Sequence, residues 1–81
     1  MNFIFISPTF PQQYYQFPKA VKAAGNRTLG IAEDNFENLI PELQAALDDY
    51  YRVDSLEDYN QVYRAVAFFA FKYGKIDWLE S

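Results

Sequence analysis

The sequence predicts an α/β domain built on a four-stranded parallel sheet, with elements in the order β-α-β-α-β-α-β. Three observations carry this. Phe3–Ile6 is a short apolar run of strong β propensity, and Arg27–Ala32, Tyr50–Val53 and Lys75–Glu80 also read as strands. Segments with apolar residues at spacings of three and four separate them. The first run is unbroken rather than alternating, which suits a strand covered on both faces. Strands alternating with helices imply crossover connections of one hand.

Each element has its own signals. Phe3-Ile4-Phe5-Ile6 stops at Ser7-Pro8, a turn signal that disfavours helix at the preceding residue. Ser7 or Thr9 can then cap a helix, with Pro11 in its first turn. Tyr14, Phe17, Val21 and Ala24 form one helical face, and Gly25-Asn26 ends it. Pro18 interrupts that pattern, so the helix is either kinked near residues 14–17 or starts later than Pro11. In the second strand Leu29 and Ile31 share a side, and Gly30 leaves room for a close neighbour. Glu33-Asp34-Asn35 is a loop. A short helix is expected within residues 36–49, with Pro41 at its first position and Leu39, Leu43, Ala46 and Leu47 as its stripe. Ser55-Leu56-Glu57-Asp58 resembles a capping box for the last helix. Tyr59, Val62, Tyr63, Val66, Phe69, Ala70 and Tyr73 give that helix its stripe, and Gly74 closes it. Phe68 and Phe71 lie off the stripe: either they mark a binding face, or this helix is buried more widely than one stripe. Spacing alone leaves two strand orders open, 3-2-1-4 and 2-1-3-4.

Composition narrows the chemistry. The 81 residues carry a net charge of −4, with 51% hydrophobic and 20% aromatic residues. This is a folding composition of one domain. Without cysteine there is no disulfide, thiolate metal site or thiol nucleophile, and without histidine the commonest general base is absent. The acidic balance argues against nucleic acid. No apolar run is long enough to span a bilayer, and the N-terminus lacks a basic leader, so no membrane and a cytoplasmic location are expected. The only glycines, Gly25, Gly30 and Gly74, make neither a dinucleotide fingerprint nor a Walker loop. Pro8 and Pro11 remove two N–H groups where a phosphate cradle would form.

Ligands of open α/β sheets bind beyond the carboxyl ends of the strands. That rule selects Ser7, Pro8, Thr9 and Phe10 after the first strand and Glu33, Asp34 and Asn35 after the second. Asp54 and Ser55 follow the third strand, and Glu80 ends the fourth. Asp54 is not a phospho-acceptor of the receiver type, because Ser7-Pro8 stands where acidic metal ligands would be required. The adjacent acidic pairs point in different directions and make no ready pair of carboxylates. No catalytic residue and no metal ligand is assigned.

The opening Met1–Pro8, the strand Leu29-Gly30-Ile31, the segment Tyr50–Tyr59 and the ending Phe71–Ser81 together resemble the N-terminal domain of ATP-grasp proteins of the carbamoyl-phosphate-synthase-like or biotin-carboxylase-like kind. The resemblance spans the whole chain. It implies a Rossmann-like, pre-ATP-grasp domain, hence the order 3-2-1-4, in a longer ligase. There the following domains hold ATP and magnesium and activate a carboxylate, and this domain carries no cofactor of its own. It implies cleft-wall roles for the loops holding Ser7–Phe10 and Glu33–Asn35, and partners in the remaining domains of the parent chain. Ile76, Trp78 and Leu79 would be poorly protected on an edge strand, which fits a part with missing neighbours. The alternative is a separate interaction module that dimerises through the last helix, at Phe68 and Phe71, or through the edge strand, at Trp78.

Overall fold

The computed structural model describes residues 1–9 and 11–81. Four strands, β1 (Asn2–Ile6), β2 (Arg27–Ala32), β3 (Asp49–Arg52) and β4 (Trp78–Glu80), form one all-parallel sheet in the order β3-β2-β1-β4. The helices are α1 (Gln16–Ala23), α2 (Pro41–Ala46) and α3 (Tyr59–Tyr73). The architecture is the α/β, Rossmann-like one expected, and the open choice of strand order falls on 3-2-1-4.

The connection from β1 through β2 to β3 steps one way across the sheet, and β3 to β4 steps back. Crossovers of one hand therefore put α1 and α2 on one face and α3 on the other. Packing follows that division. Ile4, Leu29, Ile31 and Val53 form a dry core with Ala65 and Phe69 of α3. On the opposite face Phe5 makes edge contacts with Tyr14 and Phe17, and Leu39, Leu43 and Leu47 cluster under Tyr15 and Tyr50. Strand alternation sends Ile4 and Phe5 to these two sides, and both are completely buried. Each contributes about 2–3 kcal/mol of hydrophobic stabilisation. A Cβ on Gly30 would stand 2.8 Å from Leu47 Cδ1, which is why the α2 segment needs glycine beneath it.

Several boundaries differ from the sequence reading. A single 3-10 turn, Gln12–Tyr15, precedes α1, so the α-helix starts later than Pro11. Pro18 is then the third residue of α1, where the backbone N–H has no acceptor within the helix, and its ring is buried. Gly25, at φ +94°, ends the helix and donates to the Lys22 carbonyl at 2.9 Å. The short helix expected within 36–49, with Pro41 at its first position, is α2; a separate 3-10 turn at Phe36–Asn38 precedes it, and it ends at Ala46 because the chain joins the sheet early. Asp48 N–H donates to the Thr28 carbonyl at 2.7 Å, so β3 begins at Asp49 rather than Tyr50. The cap of α3 is Asp58, not Ser55. Asp58 Oδ1 accepts the N–H of Asn60 at 3.0 Å and of Gln61 at 3.4 Å, while Ser55 Oγ accepts only the Glu57 N–H. The buried face of α3 is centred on Ala65 and Phe69. Tyr59 and Tyr63, expected on the stripe, stay 76% and 62% exposed.

Candidate functional site

A small cleft lies at the carboxyl ends of β1 and β2. At the end of β1, Ser7 N–H donates to the Ile31 carbonyl at 2.7 Å and extends the ladder by one bond. Ser7 then takes φ +57°, a left-handed conformation that costs a non-glycine residue about 1–2 kcal/mol. The reversal drives Pro8 into the core and leaves Thr9 half-buried at the surface. Opposite, the chain leaving β2 passes Asp34 and turns through Phe36–Asn38.

Between these segments lies a cleft of about 110 Å³ lined by Thr9, Gln12, Asp34, Asn38, Leu39, Ile40 and Leu43. Its far wall is braced from behind. The Tyr50 hydroxyl donates to the Asp34 carbonyl at 2.6 Å, and burial, with the Asp34 charge adding to it, pushes that hydroxyl up to about 12. Gln44 Nε2 donates to the Phe36 and Leu39 carbonyls at 3.0 and 2.9 Å. The floor is leucine and isoleucine, and the rim offers one hydroxyl, two amides and one carboxylate. That set can hydrogen-bond a polar or amine-bearing group and repels an anion.

The structure thus brings Thr9 and Asp34 of the predicted set together. Ser7 and Pro8 shape the turn beneath them. Glu33 faces elsewhere: its Oε2 accepts the Leu56 N–H at 2.8 Å and pins the loop before α3. Asn35 precedes the 3-10 turn, and its carbonyl accepts the Asn38 N–H at 2.9 Å. Phe10 lies outside the described residues. Gln12 and Asn38 escaped the sequence reading. Their signal was weak, since each is an amide on a short turn flanking a predicted loop.

Two other regions are chemically distinct. Arg52, Asp54, Asp58, Asn60, Gln61 and Arg64 line a broad, open groove beside the start of α3. There Arg52 pairs with Asp54 at 2.9 Å, and Asp58 already occupies the first N–H groups of the helix. At the end of β4, Trp78 Nε1 donates to Glu80 Oε1 at 2.8 Å, and burial followed by the Glu80 charge raises the Tyr14 hydroxyl. Trp78 is 54% exposed. Phe68 is half-exposed against Tyr51, with ring centroids 5.4 Å apart, and Phe71 is 93% exposed.

The β1–β2 cleft offers little to the phosphates of a nucleotide. Ser7 N–H is spent on Ile31, Pro8 and Pro11 have none, and no lysine or arginine lines the β1–β2 cleft. Among the described residues no three acidic side chains gather as a metal site, and no helix is long and apolar enough to cross a membrane. Comparison of the chain with protein-family models, with curated proteins and with solved structures gives no match.

Proposed function

We propose that this chain is the substrate-side N-terminal domain of an ATP-grasp, carboxylate-activating ligase, and that it is inert without the domains that hold the nucleotide. The reading starts from the resemblance of its strand ends and closing segment to that family. The observation that supports it best is the half-built cleft at the ends of β1 and β2. Ligand pockets that act alone usually enclose about 300–1,000 Å³. This one encloses about 110 Å³ and is rigidly braced on the β2 side. A further wall is what would complete it. The acidic, amide-rich rim suits the polar or amine-bearing part of a substrate, whereas its carboxylate and the ATP phosphates belong opposite cationic groups in the other domains.

Calorimetric titration of the 81-residue chain with Mg-ATP tests the inert half of the proposal. No saturable binding is expected, and saturable millimolar-or-better binding overturns it. Reading the genomic frame beyond the Ser81 codon tests the other half. The expected outcome is an open frame encoding two further domains with a glycine-rich lid, lysines and a metal-binding Glu and Asn. A stop codon there removes the ligase reading.

A further inference from the structure

We infer that the outer face of α3 is a homodimer interface, through which two copies of this chain pack helix to helix about a twofold axis. Four aromatic residues of this helix remain in water: Phe71 at 93% exposure, Tyr59 at 76%, Tyr63 at 62% and Phe68 at 43%. Taking about 200 Å² for a fully exposed aromatic residue, they present on the order of 500 Å² of aromatic surface. That lies at the upper end of patches found on monomers and is more than half of the roughly 800 Å² per partner of a standard interface.

The arrangement is self-complementary. Tyr63, Ala67 and Phe71 fall at i, i+4 and i+8, so they line up along one side of the helix. A twofold axis at Ala67, with the helices antiparallel, sets Tyr63 of each copy over Phe71 of the other. The exposed small residue at the crossing allows the backbones to approach to about 8–10 Å. Charge points to the same occupant. All eleven acidic residues of the chain lie outside α3, whose only charged side chains are Arg64 and Lys72. Lys72 is engaged with Asp49 at 2.8 Å. Arg64 alone is left to attract an acidic partner, which is little for a charge-driven contact. In the symmetric pair it falls beside Ala70 and Phe71 of the second copy, where a guanidinium can stack on the ring.

Sedimentation equilibrium on the whole chain tests this. The wild type is expected at twice the chain mass at micromolar concentration. Phe71→Asp and Ala67→Arg should each raise the dimer dissociation constant about a hundredfold or more. Both sites are exposed, so the far-UV circular dichroism of the variants should match the wild type and show that they fold. Trp78→Asp, on the open edge strand, should leave the dimer intact. A chain that stays monomeric up to high micromolar concentration overturns the inference. So does a dimer that survives both α3 variants, or one lost with Trp78→Asp and kept with Phe71→Asp. None of these outcomes alters the Mg-ATP titration, so the dimer and the ligase reading stand or fall separately.

Discussion

At the β3 edge of the sheet, two consecutive carboxylates are tied into different elements, whereas the β4 edge is held by the backbone, one asparagine and the single carboxylate of Asp77. Asp48 accepts the Thr28 N–H at 2.9 Å and pairs with Lys22 at 3.2 Å. Asp49 accepts from Lys72 at 2.8 Å and from the Tyr73 hydroxyl at 2.6 Å. The Arg27 guanidinium lies over the Tyr73 ring at 4.4 Å and closes that corner. Beyond this entry β3 is covered on both faces, by Phe36 against Tyr50 and by Phe68 and Phe69 against Tyr51. On the β4 side, Asn2 and Asp77 exchange two bonds of 2.9 and 2.8 Å, and Asn2 Nδ2 donates to the Tyr73 and Lys75 carbonyls. Past that clamp, Trp78 and Leu79 are each about half-exposed. Strand pairing and strand cover are therefore separate achievements. Both edges are paired, but only β3 is also partly covered on both faces.

The largest effect should separate the two edges by core burial. Phe69 is completely buried and touches both Tyr51 and Tyr73, so Phe69→Ala should cost about 3–5 kcal/mol of folding stability. Leu79→Ala at the β4 edge should cost about 1 kcal/mol or less, because half of that side chain is already in water. Urea unfolding of the two variants measures the gap. Equal losses would mean that Leu79 on β4 is packed as fully as Phe69, which lies over β3.

The sequence announced most of this sheet because its central strands are buried on both sides. The bounds of β2 are as expected, since Arg27 and Ala32 sit between a glycine turn and an acidic loop. The end of α2 was harder. Polar side chains, rather than hydrophobic period, decide where α2 gives way to β3: Thr28 and Asp48 form a ladder ahead of the first apolar residue. On α3, tyrosine misled the stripe. Its ring fits a buried face and its hydroxyl suits water, so helical spacing alone could not exclude Tyr59 and Tyr63. Ala65 has too little hydrophobicity to announce itself, yet it is completely buried. Within the candidate site, the rule of strand carboxyl ends found Thr9 and Asp34. It could not say that Glu33 turns away, because that depends on the Leu56 N–H, which only the tertiary fold brings near.

A smaller effect should follow pH, and it belongs to β3. For both Asp48 and Asp49, burial alone would raise the carboxyl. It is outweighed at Asp48 by hydrogen bonds from Thr28 and Lys22, and at Asp49 by those from Lys72, Tyr73 and the Tyr50 N–H, so both lie below the usual range. Carboxyls lowered by folding stabilise the fold above their unfolded value, about 3.9, and that contribution is lost as pH falls through the lowered value. The chain should therefore lose stability below about pH 4. Asp48→Asn with Asp49→Asn should flatten this acid limb while lowering stability at neutral pH. Tyr50 works in the opposite direction. Its hydroxyl is pushed up to about 12 by burial, so its contribution is full below 10 and is lost as pH rises from 10 to about 12. Unfolding midpoints across pH for wild type, the double variant and Tyr50→Phe read both limbs. An acid limb unchanged in the double variant would mean that other carboxylates carry it.

The smallest effect should come from the exposed ring that defines the β4 edge. Trp78 is 54% exposed, and the one polar bond of its side chain is to Glu80, two residues away on the same strand. Such a local bond survives partly in the unfolded chain and separates the two states weakly. Strand pairing does not need the ring, because the Phe3–Trp78 register is carried by the backbone. Trp78→Ala should accordingly cost no more than about 1 kcal/mol in the isolated chain. If this edge meets a further domain of a longer protein, the same substitution should destabilise that longer protein more than the isolated chain, since a ring buried at a contact loses more when removed. Thermal unfolding of the variant in both contexts makes the comparison. Equal losses would leave Trp78 a solvated edge residue and move the search for an interdomain contact to the carboxyl ends of the strands.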